Sequence, residues 1–410
     1  MIEELGIKTL DDIDIKNKTV LVRVDFNSPI DPKTKKILDD TRIRIHAEKT
    51  IRELVNKEAK TIVMAHQGRL GDPDFTSLEQ HSKILSKILG IDVKFVNDIF
   101  GDKALNAIKQ LNPGEVLVLE NVRSWKNETK KATAEEHSKT EMVTRLSPYI
   151  NVFCIDAFAA AHRPHVSMIG FAPVVKHVVA GRVMEAEIRA LYKVRNNPEK
   201  PCTYILGGAK AEDAAEVVDN ILSQKIADYV LTGGLIANLF LFSNGINLGK
   251  PNNDILEKKG FTEFKNLIKE LIDKYPENII LPIDLTIDVN GNKKDVKVAE
   301  LPTNYLIKDI GSATIEKYSQ IIKESKTVVM SGPMGIFEQK PFDVGTRKMF
   351  EAMASSNAYT LIGGGHTIAA AHKLGFLDKF SHVSTGGGAL IDYLIKGTLP
   401  VIEVLKRYSK

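Results

Sequence analysis

Cysteine is nearly absent from this chain: there are two, Cys154 and Cys202, in 410 residues. Each lies within an apolar run, which argues against a disulfide framework and reads as two reduced, buried thiols in a reducing compartment. No run of 18 apolar residues occurs, so no helical membrane span is expected. The N-terminal stretch "MIEELGIKTLDDIDIKN" lacks the basic-then-apolar order of a secretory signal. Charge of one sign is not in large excess either. The 56 Lys and Arg against 52 Asp and Glu leave +4, too little to mark a nucleic-acid partner. Two nucleotide signatures are also missing: G-x-x-x-x-G-K-[ST], and a convincing G-x-G-x-x-G with a downstream acid. The expectation is a cytoplasmic protein acting on small molecules, with no nucleic acid and no membrane. A monomer is the default and a dimer is left open.

What is present is a long series of short β-rich runs. They read "TVLVRVDF" (19–26), "TIVMA" (61–65), "EVLVLE" (115–120), "NVFCID" (151–156), "CTYIL" (202–206), "DYVLT" (228–232), "NIILPID" (278–284), "TVVMSG" (327–332) and "TLIGGG" (360–365). Most are apolar throughout rather than alternating, as in strands buried on both faces. Helical patterns such as 41–59 and 78–89 lie between them, so the predicted class is α/β: two doubly wound parallel-sheet domains joined by a hinge helix. Pro173 ends the first half, "GRVMEAEIRALYKVRNN" (181–197) reads as a helix, and "NPEKP" breaks it. Domain bounds of 1–178, 179–197 for the connecting helix and 198–392 follow, with 393–410 a C-terminal segment whose return to the first domain is left open.

Ligands bind outside the carboxyl ends of strands in such sheets, so residues just after each strand matter most. In the first half these are Asp25, Asn27, Arg42, His66, Arg69, Arg123, His162 and Arg163. The stretch "DAFAAAHRPH" (156–165) has three readings: an ordinary polar loop, a metal site at His162 and His165, and an anion site at Arg163. Pro164 opposes a helical His pair, and no Cys or acidic cluster stands nearby. Four Arg on one edge would need an anion, and a small phosphorylated acid fits. In the second half the strand ends carry glycines instead: "LGGAK", "TGG", "SGPMG", "GGGHT" and "TGGGA". Glycine lets backbone approach a ligand, and helix N-termini after it offer free N–H groups to phosphate. An anion pocket, a nucleotide site and a hinge helix together read as a kinase whose domains close on donor and acceptor.

In order, "RVDFNSP", "HQGR", "LENVR", "DAFAAAHRPH", "LGGAK", "SGPMGIFE", "IGGGHT" and "SHVSTGGGA" resemble the phosphoglycerate kinase family, in an archaeal-like form. The resemblance implies reversible phosphoryl exchange between 1,3-bisphosphoglycerate and ADP, giving 3-phosphoglycerate and ATP, with Mg²⁺ accompanying the nucleotide. It implies that Asp25, Asn27, Arg42, His66, Arg69, Arg123 and Arg163 hold phosphoglycerate. It implies that Gly207, Gly208, Lys210, Gly233, Glu338, Gly363, Gly364, Gly365, His366 and Thr367 face the nucleotide. Arg42 and Lys210 are the expected catalytic cations, with backbone N–H groups of 363–367 and 386–388 on the phosphoryl oxygens; the metal ligands are left unassigned. Three positions depart from the family pattern: Ala214 for a second Lys, Ser331 for Asn, and His366 for Asp. Two rivals stay open: a dehydrogenase without the dinucleotide fingerprint, and a sensor that binds nucleotide without turnover.

Overall fold

The computed structural model describes residues 2–409, which fall into two α/β units. The first runs up to Arg189 and takes back the segment from Thr398; the second is Ala190–Gly397. Each is built on a six-stranded sheet.

The first sheet contains β1 (Thr19–Arg23), β2 (Lys60–Met64), β3 (Val93–Phe95), β4 (Val116–Val118), β5 (Val152–Ile155) and β6 (His177–Ala180). Its order is β3-β4-β2-β1-β5-β6, parallel throughout. Buried Val20, Val22, Ile43, Ile51, Leu54, Val63 and Leu85 join strands to helices in one core. The run β6, after Pro173, adds a strand that the sequence reading passed over. The helix expected over 41–59 is Thr41–His46, a π turn at Ala47–Ile51, then Arg52–Asn56. The last helix, Pro400–Tyr408, packs on this unit: Tyr408 donates its hydroxyl to Glu135 at 2.6 Å and Ser409 donates to the Val178 carbonyl at 2.9 Å.

The helix Arg182–Leu191 leaves the first unit and continues as a π turn, Tyr192–Asn196. Its first N–H groups are capped from a distance, Val183 donating to Asp156 Oδ1 at 2.9 Å and Met184 at 3.2 Å.

The second sheet contains β7 (Cys202–Leu206), β8 (Tyr229–Thr232), β9 (Ile279–Ile280), β13 (Thr327–Ser331), β14 (Tyr359–Gly363) and β15 (His382–Val383), in the order β15-β14-β13-β7-β8-β9. A separate antiparallel sheet, β11-β10-β12, is made by β10 (Asp284–Val289), β11 (Asn292–Lys297) and β12 (Leu306–Ile310). "NIILPID" is therefore not one strand. Pro282 cannot donate to a ladder, so β9 ends before it and β10 starts after it in another sheet. Among the described residues no helix is long and apolar enough to cross a membrane.

Candidate functional site

Strand register decides which side chains meet. Arg23, the last residue of β1, is level with Met64 of β2 and Ile155 of β5. Segments 25–27, 66–69 and 156–165 therefore leave the sheet at one carboxyl edge. Val118 of β4 is level with Val63, so Arg123 emerges beside them. Arg69, Arg123 and Arg163 line one cavity of about 470 Å³ together with Lys126, Trp125 and His165. Among the described residues no carboxylate lines it.

Asp25, Asn27, Arg42 and His66 stand outside that lining; the first three are tied to it by hydrogen bonds, and His66 pairs with the buried Arg23 instead. The Gly68 N–H donates to Asn27 Oδ1 at 2.8 Å, and Arg123 Nη1 donates to the Gly68 carbonyl at 2.6 Å. Arg42 pairs with the buried Asp25 carboxylate. The Asp25 N–H donates to His46 Nε2 at 3.2 Å, so the proton of that ring sits on Nδ1, 2.7 Å from Asp156 Oδ2. Asp156 thus fixes both the connecting helix and the backbone of Asp25.

The cations of this edge strain against one another. Burial, then Arg23 and Arg163, hold the Arg123 guanidinium down to about 10. Burial, then Arg69, lowers Arg163. Burial, then Arg123, pushes His165 down to about 3, so it is neutral beside the arginines. An anion entering this cavity would relieve the repulsion.

In the second unit, Leu206 is level with Thr232 and Ser331, and Ser331 with Gly363, so the glycine turns share an edge. The Gly207 N–H donates to the Ser331 carbonyl and the Gly208 N–H to the Pro333 carbonyl, both at 2.9 Å. Gly332 has φ +91, and a side chain on it would overlap the Gly207 backbone. Gly364, at φ +89, turns the chain into the helix Gly365–Leu374, and Thr367 Oγ1 accepts the Gly332 N–H at 2.7 Å. A second helix, Gly387–Lys396, starts nearby. The first residues of both helices line a cavity of about 140 Å³, together with Gly207, Lys210, Ser331 and His366, and the first N–H groups of a helix have no partner within the helix itself. A larger, mostly apolar cavity of about 460 Å³ is lined by Gly234, Ile307, Phe337 and Glu338. Gly208 and His366 line both. An apolar chamber beside a ring of N–H donors suits a base and its phosphates.

The structure separates the remaining predicted residues. Gly233 and Gly363 line neither cavity: Gly233 packs against Met334 and Gly363 under Leu390. Lys210 is 76% exposed, its Nζ 3.5 Å from Asp213. Ala214 lines the smaller cavity where the family pattern has a second Lys. His165, read from sequence as a candidate metal ligand, lies among arginines that would repel a cation. Among the described residues no group of three or more His, Cys, Asp or Glu is placed to hold a metal ion. Sequence reasoning passed over Arg23, Lys126 and Trp125. Arg23 had a visible signal, a charge ending the otherwise apolar run "TVLVR".

The phosphoglycerate kinase family profile matches residues 10–397. The phosphoglycerate kinase of Methanothermobacter thermautotrophicus is 48% identical over 399 residues, covering 97% of this chain and 96% of its own. That of Methanothermus fervidus is 46% identical over 402 residues, covering 98% and 97%. Among solved structures, phosphoglycerate kinase from Pyrococcus horikoshii OT3 superposes with a TM-score of 0.89 at 38% identity, covering 98% of this chain and all of that one. The Coxiella burnetii enzyme gives 0.84 at 30%, with the same coverage. Similarity of this extent in sequence, together with the shared two-domain α/β fold, places the chain in the phosphoglycerate kinase family.

Proposed function

We propose that the two clusters divide the family's reaction between them. That reaction is reversible phosphoryl transfer between 1,3-bisphosphoglycerate and ADP, giving 3-phosphoglycerate and ATP, in glycolysis and gluconeogenesis. Residues 1–178 take the phosphoglycerate and 198–392 the nucleotide, with 179–197 connecting them. The cavity lined by Arg69, Arg123, Arg163 and Lys126 without a carboxylate carries this reading. Planar guanidinium groups match the phosphate and carboxylate of a phosphorylated acid. Asp25 and Asn27 face its neutral hydroxyl, and His66 adds a hydrogen bond. Arg42, half-exposed and held by Asp25, is the cation nearest the transferring group.

On the nucleotide side, the base and ribose occupy the larger cavity, with Glu338 on the ribose. The phosphates lie over the turns at Gly207, Gly208 and 363–367, with N–H groups of 386–388 on the transferred phosphoryl. Lys210 is solvated, and its exposed pairing with Asp213 lets it swing onto the phosphates. Phosphoryl transfer gains little from covalent help, so positioning and charge do most of the catalysis. No base is needed in the ATP-consuming direction, because the acceptor carboxylate is already ionised.

Mg²⁺ takes oxygen ligands and commonly shares substrate phosphates with one or two carboxylates. The smaller cavity fits that pattern, with Asp213 as its carboxylate and Ser331 as a hydroxyl. These two would hold the ion together with the nucleotide's phosphates. The ion supplies positive charge against the phosphoryl oxygens, and the nitrogen donor His366 is left to the phosphates. The protein works as a cytoplasmic monomer in this reading.

Titration calorimetry tests the division. Arg163→Ala should weaken 3-phosphoglycerate binding by about 1.5–3 kcal/mol, one to two decades, and leave ATP unchanged. A larger loss for ATP would put Arg163 in the wrong site.

A further inference from the structure

Beneath the arginine cavity lies a carboxylate that the assignment above does not use. Glu128 is fully buried. Its Oε1 accepts the Ser167 hydroxyl at 2.5 Å, its Oε2 accepts the Ser167 N–H at 3.0 Å, and its own carbonyl accepts the Val166 N–H at 3.1 Å. Ser167 Oγ in turn accepts from Arg23 Nε at 2.8 Å. Arg23, only 1% exposed, also donates through Nη1 to the Val24 carbonyl and through Nη2 to His66 Nδ1 at 3.1 Å. A guanidinium has no acceptor. Nδ1 of His66 must therefore be bare, and its single proton sits on Nε2.

We infer that Glu128 is a positioning residue which, through Ser167 and Arg23, holds His66 as a neutral Nε2–H donor for the acceptor substrate. This rests on the reading that His66 and its neighbouring arginines bind phosphoglycerate. The electrostatics agree. Burial, then Arg23 and Arg123, keep the His66 pKa well below its ordinary value, so no second proton competes for Nδ1. Burial raises Glu128 to about 7, while Arg23 and the two hydrogen bonds from Ser167 pull the other way and favour the carboxylate as their acceptor. Ser167 stands between them. Its hydroxyl proton goes to Glu128, which leaves its oxygen to accept Arg23 Nε; losing either the carboxylate or the hydroxyl loosens the chain that aims Nη2 of Arg23 at His66. A neutral donor also keeps this histidine out of the like-charge repulsion that already lowers Arg123 and Arg163.

The test uses two readouts on the full-length protein. Nitrogen-15 NMR of the histidine rings reports the His66 tautomer in the ligand-free state. Titration with 3-phosphoglycerate and, separately, ATP reports affinity. The wild type should show a bare Nδ1 and a protonated Nε2 on His66. Glu128→Gln should give a mixed tautomer and weaken 3-phosphoglycerate about tenfold, with ATP affinity within twofold. Ser167→Ala, which removes one oxygen and little volume, should do the same and carries the test if Glu128→Gln does not fold. An unchanged tautomer and unchanged 3-phosphoglycerate affinity in the folded variants would overturn the inference. Arg163→Ala serves as the control: if it too leaves 3-phosphoglycerate affinity intact, the site assignment fails instead.

Discussion

Replacing Arg123 by Met separates binding from stability. Met keeps the aliphatic stem and removes only the guanidinium. A guanidinium held at about 10 rather than 12.5 is about 3.4 kcal/mol less comfortable as a cation in the fold than in the open chain. Water contact at the cavity reduces that to about 1.7 kcal/mol. Against this relief stands the hydrogen bond to the Gly68 carbonyl at 2.6 Å, about 1.5–3 kcal/mol for a charged donor. The two nearly cancel, so Arg123→Met should unfold in urea within about 1 kcal/mol of wild type. Breaking an ordinary buried ion pair costs about 3–5 kcal/mol. Meanwhile 3-phosphoglycerate should bind ten- to a hundredfold more weakly, because the cavity loses one of its three guanidinium groups. Urea denaturation followed by circular dichroism and titration calorimetry check the two halves. A loss of more than about 3 kcal/mol in stability with unchanged affinity would show that Arg123 supports the fold and not the ligand.

Lys210→Ala should lower kcat about tenfold and leave the melting temperature unchanged, since the side chain is solvated; steady-state assays showing an unchanged kcat would pass its role to another cation. Burial holds His81 down to about 4 from 6.5, so the unfolded chain takes up a proton there before the folded one does. That contribution is whole above pH 6.5 and is lost as pH falls toward 4, about 3.4 kcal/mol in full. The stability difference between pH 7 and pH 4.5 should shrink in His81→Gln, and an equal difference would assign the acid sensitivity elsewhere. Both thiols are fully buried, Cys154 raised well above and Cys202 to about 12 by burial. Neither should react with Ellman's reagent until the protein unfolds, and rapid labelling of the native protein would contradict that burial.

The sequence by itself determined the class of fold, because apolar strands such as "TVLVR" and "CTYIL" can be stable only when covered on both faces. It also determined that cations end the strands of the first half and glycines those of the second, since both are read directly after each run. It left the antiparallel sheet unread. β11, "NKKDVK", is almost wholly polar and exposed, and its only signal was the Asn290-Gly291 turn, whose residues have φ of 53 and 88. Nor could it choose among strand-end residues. Arg69, Arg123 and Arg163 share a cavity while Arg42 pairs with Asp25, and Gly233 and Gly363 pack against side chains instead of lining a site. Only register and burial decide such matters, because they depend on which strands are neighbours and not on what each strand contains. The buried set Glu128, Ser167, Arg23 and His66 shows this most clearly. Its members come from four separate segments, and its chemistry exists only where the fold removes water from all of them at once.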